Sequence, residues 1–258
     1  MPFLPLHDKN PRVLLEIPWV TWGTIALCGF VYLYQTSLGG EAEEKLVYGL
    51  GMIPVTLFGE ARLSAEFFLL PPWLTLGSSI FLHAGLMHLL GNMLYLWVFG
   101  DNVEDAMGHG RFVVFYLTCG LLAGLAQAVA DPASSIPTIG ASGAVSGVLG
   151  AYLILHPKAR VLIPIYFLPI YLPAYLLLIV WIGFQMLSAW VGGAAGGGVA
   201  WWAHIGGFAA GAALIVPFRY KTVPLFADNE RPKGVRLTTR AERERSPRRR
   251  RGGEDPWR

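Results

Sequence analysis

The sequence predicts an all-α polytopic membrane protein with six transmembrane helices. Of its 258 residues, 54% are hydrophobic and only 14% are charged, whereas a soluble domain carries about 25% charged residues. Residues 67–100, 112–130 and 161–218 contain no Asp, Glu, Lys or Arg. Because one helical span needs about 20 apolar residues, these stretches hold several spans. The mean hydropathy of +0.48 agrees with this class.

The apolar runs define six predicted spans. They are expected at about residues 19–38, 83–99, 112–130, 139–155, 174–191 and 200–218. The segment between the first two is too apolar for an ordinary loop and too interrupted by proline and glycine to span. We therefore expect a long structured first loop that lies partly in the membrane interface.

This pattern divides the chain into three parts. A short polar lead covers residues 1–17, and the six-span domain covers residues 18–220. The tail, residues 221–258, is basic and rich in proline, arginine and glutamate, so we expect it to be disordered.

Basic residues predict the orientation in the membrane. Six spans place both termini on one side, whose compartments hold seven Lys or Arg near the spans, against two on the other side. The positive-inside rule then puts both termini in the cytoplasm. A six-span core without an added span favours a bacterial plasma membrane. The seven are Lys9, Arg12, Arg111, Lys158, Arg160, Arg219 and Lys221, and the two are Lys45 and Arg62.

Polar side chains inside spans are costly, which makes each one a functional candidate. In the predicted orientation, the second, fourth and sixth spans all run inward from the outer face. His88, Ser142 and His204 then lie within one or two turns of that face, because a helix rises about 1.5 Å per residue. Three separate segments therefore place polar groups in one layer, which predicts a single site. The full set is His83, His88, Asn92, Ser142, Ser146, Gln185 and His204.

Ser142 and His204 have the residue types of a nucleophile and its base. Ser142 lies in the glycine-rich stretch 140–147, where small neighbours leave a hydroxyl accessible. A serine hydroxyl is a weak nucleophile and needs an adjacent base, for which imidazole is the usual choice. We predict Ser142 as the nucleophile and His204 as the general base. Ser146, one turn further, is assigned to packing.

Two glycine pairs favour close contact between the predicted fourth and sixth spans. Gly143 and Gly147 form one GxxxG face, and Gly207 and Gly211 form another. Such faces let helix backbones approach closely, which a hydrogen bond from Ser142 to His204 requires.

His88 and Asn92 are spaced i, i+4 and share a helix face. Together with the backbone N–H of Ser142 near its helix N-terminus, they are expected to donate to a developing oxyanion. Gly143 is assigned to the same oxyanion and substrate site. Taken alone, each side chain is also consistent with an interhelical hydrogen bond.

Other chemistries are disfavoured. There is no HExxH motif, and the i, i+5 spacing of His83 and His88 does not make a zinc pair. No carboxylate lies inside a predicted span, so an aspartyl dyad lacks its acids and the serine and histidine lack a third acid. Cys28 and Cys119 lie in apolar runs, which favours their interpretation as buried small hydrophobic residues. We expect no metal, no cofactor and no nucleic-acid partner.

These residues resemble one family, the rhomboid intramembrane serine proteases, over about residues 15–218. Three segments carry the resemblance and follow the family's order along the chain. One departure is Trp73-Leu74, where family members often have Trp-Arg. The segments are His83-Ala-Gly-Leu-Met-His88-Leu-Leu-Gly-Asn92, Gly140-Ala-Ser142-Gly143 and Ala203-His204-Ile-Gly-Gly207-Phe-Ala-Ala-Gly211.

The resemblance implies a rhomboid-like bundle with a water-filled cavity open to the outer side. Ser142 and His204 would be the catalytic dyad, and His88, Asn92 and the Ser142 amide the oxyanion hole. Substrates would be single-span membrane helices, which the protein would bind within the membrane lipids. Glu104, in a loop after the second span, would help stabilise the cytoplasmic side of the bundle.

The sequence disfavours two other functions. A non-catalytic relative that binds and escorts membrane helices is disfavoured, because such relatives lose the serine or the histidine. A transporter is disfavoured because no intramembrane charge is present to form a path.

Overall fold

The computed structural model describes residues 4–165, 168–192 and 198–227. Over these residues the chain is mostly helical, with a small antiparallel sheet. Most of the predicted disordered tail lies outside the described residues. The helices are α1 Trp19–Leu38, α2 Gly40–Leu50, α3 Pro54–Leu57, α4 Pro72–Ser78, α5 Leu86–Met107, α6 His109–Ala130, α7 Ser142–Leu155, α8 Ala174–Gly192 and α9 Trp201–Phe218, with a 3₁₀ turn at Ser79–Phe81. The strands are β1 His7–Asp8, β2 Arg160–Ile165 and β3 Leu168–Pro173.

Three of these helices are long and apolar enough to cross a membrane: α6, α8 and α9. A fourth candidate is the bent pair of α4 with its 3₁₀ turn and α5, which meet at 80°. Helix α7 has 14 residues, or about 21 Å, and is buried along most of its length at the centre of the bundle. The described residues thus form a helical membrane protein with three to four candidate spans by length and composition, and the count of six stays a prediction.

The second span is predicted to end at about residue 99, and helix α5 continues beyond that point to Met107. Its last turns carry Glu104, which is fully buried. The Glu104 carboxylate accepts hydrogen bonds from the N–H of Val20 at 3.0 Å and of Thr21 at 2.8 Å, and from the Thr21 hydroxyl at 2.6 Å. The first N–H groups of a helix have no intrahelical partner and favour negative charge. Glu104 is therefore stabilised by the start of α1, and the helix continues through it.

The first loop is structured, as predicted, and Gln35 of α1 ties its end in place. The Gln35 side chain donates to the carbonyl of His83 at 2.9 Å and accepts from its N–H at 3.3 Å. These bonds satisfy the backbone at the break between the 3₁₀ turn and α5. Gln35 is not among the polar residues predicted as functional candidates, although it lies inside the first predicted span.

The N-terminal lead is not separate from the bundle, because β1 pairs with β2. Leu6 donates to the carbonyl of Leu162 at 2.9 Å, and Lys9 donates to that of Arg160 at 2.8 Å. Strand β2 also pairs with β3 in an antiparallel hairpin. The all-α prediction omitted this sheet. Pro164 lies beyond the two residues of β2 that pair with β1, and it lies opposite Pro169 of β3.

Asp8 joins β1 to the C-terminal halves of α5 and α7 through a buried carboxyl. Its Oδ2 accepts from the Tyr152 hydroxyl at 2.5 Å and from Asn102 Nδ2 at 3.1 Å. Burial raises the pKa of Asp8 from 3.8 to about 7; the Tyr152 hydrogen bond opposes this shift and the negative charge of Asp101 adds to it. The folded-state pKa of Asp8 lies above its unfolded value. Asp8 therefore makes its full contribution to the free energy of unfolding below the unfolded pKa, and this contribution is lost as the pH rises through the folded pKa.

We expect β1 to open more readily as the pH rises. The opening equilibrium should increase by up to about tenfold per pH unit between pH 5 and about 7, and then level off. Hydrogen exchange at the Leu6 and Lys9 amides, corrected for intrinsic rates, measures it. Asp8→Asn should weaken the dependence and leave the part that comes from Asp101, whose pKa burial raises to about 6. An unchanged dependence in that variant would contradict the assignment to Asp8.

Candidate active site

Three of the predicted site residues lie at the starts of three helices. Ser142 is the first residue of α7, His88 the third of α5 and His204 the fourth of α9. Each helix N-terminus carries partial positive charge from the aligned peptide dipoles. The arrangement therefore places a hydroxyl and two imidazoles in a region that favours negative charge.

His88, Ser142 and His204 line one cavity of about 820 Å³. Its wall also includes two glutamines, Gln127 and Gln185. Ser142 and His204 are both buried in the protein. Within the described part of the chain, the Ser142 hydroxyl has no hydrogen-bond partner, so it faces the cavity unengaged. Hydrogen bonds between catalytic groups are often long or poorly aligned before substrate binds. Aromatic side chains on the wall are Tyr48, Phe184 and Trp201.

Glycines bring α7 and α9 into backbone contact. A Cβ atom at Gly207 would collide with the carbonyl oxygen of Gly143, and one at Gly211 with that of Gly147. A Cβ at Gly147 would also lie 2.5 Å from the Cβ of Cys119 on α6. Only glycine permits this spacing, and it puts the starts of α7 and α9 side by side.

The imidazole of His204 is held from the side of α8. The distance from its Nδ1 to Gln185 Oε1 is 2.8 Å. Trp181 and Trp201 flank the ring, with centroids at 6.1 and 6.2 Å. With Nδ1 engaged, Nε2 is the nitrogen left for another partner.

His88 lies against the backbone that leads into α7. Its Nδ1 accepts from the Ala84 N–H at 3.4 Å, which leaves the hydrogen on Nε2. A Cβ at Gly140 would lie 2.8 Å from that Nε2. Gly140 also has φ of +124°, in a region that side chains disfavour. The sequence Gly140-Ala-Ser142 therefore lets the His88 ring approach the N-terminus of α7.

Asn92 is fully buried one turn below His88. Neither its amide oxygen nor its nitrogen has a hydrogen-bond partner within the described residues. Its Nδ2 would lie 3.8 Å from a Cβ at Gly140, so the amide also approaches the start of α7, although Asn92 is not one of the residues that line the cavity. Buried amides are nearly always hydrogen-bonded, so such a group requires an explanation.

Two other predicted residues have packing contacts in the structure. Gly143 does not line the cavity, and a Cβ there would lie 2.5 Å from that of Ala123. The Ser146 hydroxyl donates to the Ser142 carbonyl at 2.6 Å within α7.

Gln127 is a cavity residue that the sequence analysis missed. It lies on α6, and its Oε1 accepts from the N–H of Ala203 at 3.3 Å. This bond satisfies a first-turn amide of α9 next to His204. The sequence signal for Gln127 is an amide side chain within the charge-free run 112–130.

The described residues contain no group of three or more His, Cys, Asp or Glu side chains placed to hold a metal ion.

Comparisons with known proteins place the chain in a family. A model of the rhomboid domain matches residues 71–221, more than half of the chain. The rhomboid protease GluP of Bacillus subtilis is 36% identical over 136 residues, which cover 53% of this chain and 24% of that protein. The mitochondrial rhomboid protein 1 of Saccharomyces cerevisiae is 30% identical over 184 residues, 64% of this chain and 50% of that protein.

A third relative is the mitochondrial presenilin-associated rhomboid-like protein of Homo sapiens. It is 34% identical over 95 residues, 36% of this chain and 24% of that protein. The matched segments thus span half or less of each of these relatives. From the domain match, and from apolar helices long enough to cross a membrane, the chain belongs to the rhomboid family of integral membrane proteins.

Proposed function

We propose that this protein is an intramembrane serine endopeptidase that cleaves single-span membrane proteins near the outer membrane face. One observation carries the proposal: Ser142 and His204 line the same cavity, from the first turns of two helices packed backbone to backbone. Relatives named as rhomboid proteases support the same reaction class.

In the proposed mechanism, Ser142 Oγ attacks the scissile carbonyl while His204 Nε2 takes the hydroxyl proton. The imidazolium then gives that proton to the leaving amine, and an acyl-enzyme remains on Ser142. Water, activated by the same nitrogen, hydrolyses the acyl-enzyme. His204 suits this role because its Nδ1 is already engaged by Gln185.

The developing oxyanion is stabilised by donors gathered at the start of α7. The N–H groups of Ser142 and Gly143 lie in the first turn, where a helix offers no intrahelical acceptor. His88 Nε2 and the unpartnered Asn92 amide approach Gly140, two residues earlier. Removing one such donor in serine proteases costs about 10²- to 10³-fold in rate. An oxyanion is an acceptor of the kind that the buried Asn92 Nδ2 lacks.

The proposed membrane placement has six spans, both termini in the cytoplasm and the cavity at the outer face. Helices α1 and α7 complete the four candidate spans to six, with α7 short because it lies inside the bundle. The substrate is a transmembrane helix that unwinds at the cavity, within a lipid bilayer. A bacterial plasma membrane is the proposed location.

The test is cleavage of a single-span reporter by the purified protein in liposomes. We expect the wild type to cut the reporter within or next to its membrane segment, and Ser142→Ala to leave it intact. Cutting at the same rate by both proteins would refute the role of Ser142.

A serine-directed phosphonate probe separates a protease from an escort protein. We expect the probe to label wild-type protein at Ser142 and to leave Ser142→Ala and His204→Ala unlabelled. A folded wild-type protein that binds the reporter helix but is neither labelled nor active would be a non-catalytic helix-binding protein.

A further inference from the structure

Gln185 is a buried polar residue that the Ser142–His204 chemistry does not itself require. It lies on α8, a helix without Asp, Glu, Lys or Arg, and only 3% of its surface is exposed. The same face of α8 carries Leu178 and Trp181, both buried. An amide placed among such side chains is costly unless its polar atoms are hydrogen-bonded.

The partner of this amide is the imidazole of His204. Gln185 Oε1 lies 2.8 Å from His204 Nδ1, a distance typical of an N–H···O hydrogen bond. Trp181 and Trp201 limit the tilt of the ring from two sides. The direction of the ring is therefore set by α8 as well as by α9.

A neutral imidazole carries one hydrogen, on either nitrogen, and the partner of one nitrogen decides which. An amide oxygen at Nδ1 requires the hydrogen there, so Nε2 keeps a lone pair. The opposite tautomer puts the hydrogen on Nε2, which then cannot take a proton from a hydroxyl.

We propose that Gln185 is a positioning residue that holds His204 in the Nδ1–H tautomer and directs its Nε2 toward Ser142. This inference rests on the proposed protease function for its kinetic consequence, but not for its structural one. It assigns to a neutral amide, supplied by a separate helix, the orienting role that a third carboxylate has in Ser-His-Asp enzymes.

The tautomer is measured directly by nitrogen NMR of protein labelled with ¹⁵N in histidine, at a pH where the ring is neutral. Six histidines are present, and His204→Ala identifies the signals of His204. We expect a protonated Nδ1 in the wild type and a large fraction of protonated Nε2 in Gln185→Met, which keeps the size of the side chain but lacks the acceptor. Gln185→Glu keeps an acceptor and should restore the protonated Nδ1.

Gln127→Met is the matched control. It removes the other cavity glutamine, whose oxygen accepts from the Ala203 backbone rather than from a ring, and should leave the His204 tautomer as in the wild type. The same tautomer in the wild type and in Gln185→Met would overturn the proposal.

The kinetic test is the cleavage of a single-span reporter, with rates expressed per probe-titrated active site. We expect Gln185→Met to lower kcat by about 10- to 100-fold, the range seen when a group that orients a metal-ligating histidine is removed, and to change KM by less than about threefold. Gln185→Glu should recover at least a third of the wild-type kcat. A loss confined to thermal stability, with kcat per active site unchanged, would reduce Gln185 to an interhelical tie and overturn the proposal.

The two measurements separate the failures. A wild type that never cleaves, yet whose His204 changes tautomer in Gln185→Met, contradicts the proposed function and supports the positioning role. An active wild type whose His204 tautomer and kcat do not respond to Gln185→Met contradicts the positioning role alone.

Discussion

Replacing Ser142 with alanine is expected to reduce reporter cleavage by at least about 10⁴-fold, and replacing His204 to give a loss of similar size. In the proposed mechanism both residues take part in one proton transfer, so the loss of either should abolish the contribution of the other. The double variant should therefore be no slower than the single variants within about threefold, because residues that act as a unit are strongly non-additive. Single-turnover cleavage in liposomes, with excess enzyme, measures all three rates.

Ser146→Ala is the matched control for this prediction. Its hydroxyl donates to the Ser142 carbonyl within α7, so its removal should lower the rate by less than about tenfold. Losses that simply add in the Ser142/His204 double variant would mean that the two side chains contribute independently. Substantial cleavage by either single variant would contradict the dyad.

Gly211→Ala is expected to lower the free energy of unfolding by about 3 kcal/mol, at the upper end of the usual cost of overpacking. The added methyl group would overlap the carbonyl oxygen of Gly147. Backbone cannot change rotamer to make room, so α9 has to move away from α7. That movement carries His204 from Ser142, and we expect cleavage to fall at least tenfold. Unfolding by SDS titration in mixed micelles measures the stability.

Gly183→Ala tests whether the loss comes from the helix contact. Gly183 is also inside an apolar helix, but nothing lies within 4 Å of the position that its Cβ would take. The variant should be as stable as the wild type or up to about 1 kcal/mol more stable, because alanine is the better helix former. Equal unfolding free energies in the two variants would refute close packing at Gly211.

The helices were predictable because their signal is local. A charge-free apolar run must form its hydrogen bonds within itself in a membrane, so α1 begins and ends as predicted, and α6, α8 and α9 lie within three residues of the predicted bounds. The end of α5 was not predictable in this way. The charge-free run ends before Asp101, yet the helix continues through Glu104 because the N–H groups of Val20 and Thr21 donate hydrogen bonds to its carboxylate.

The same distinction between local signals and long-range contacts applies to the candidate site. The sequence by itself determined that His88, Ser142 and His204 lie near the starts of their helices, since distance along a helix follows from residue number. It also determined the glycine faces, which a spacing of four residues places on one side of a helix.

Only the tertiary structure decided how the polar groups are partnered. The bond from Gln185 to His204, the burial of Asp8 beside Tyr152 and the unpartnered amide of Asn92 all depend on segments far apart in the chain. Spacing within one segment says which face a side chain lies on, but not which atom of another segment meets it. Whether a buried polar group is hydrogen-bonded, strained or available for catalysis therefore depends on contacts between distant segments of the chain.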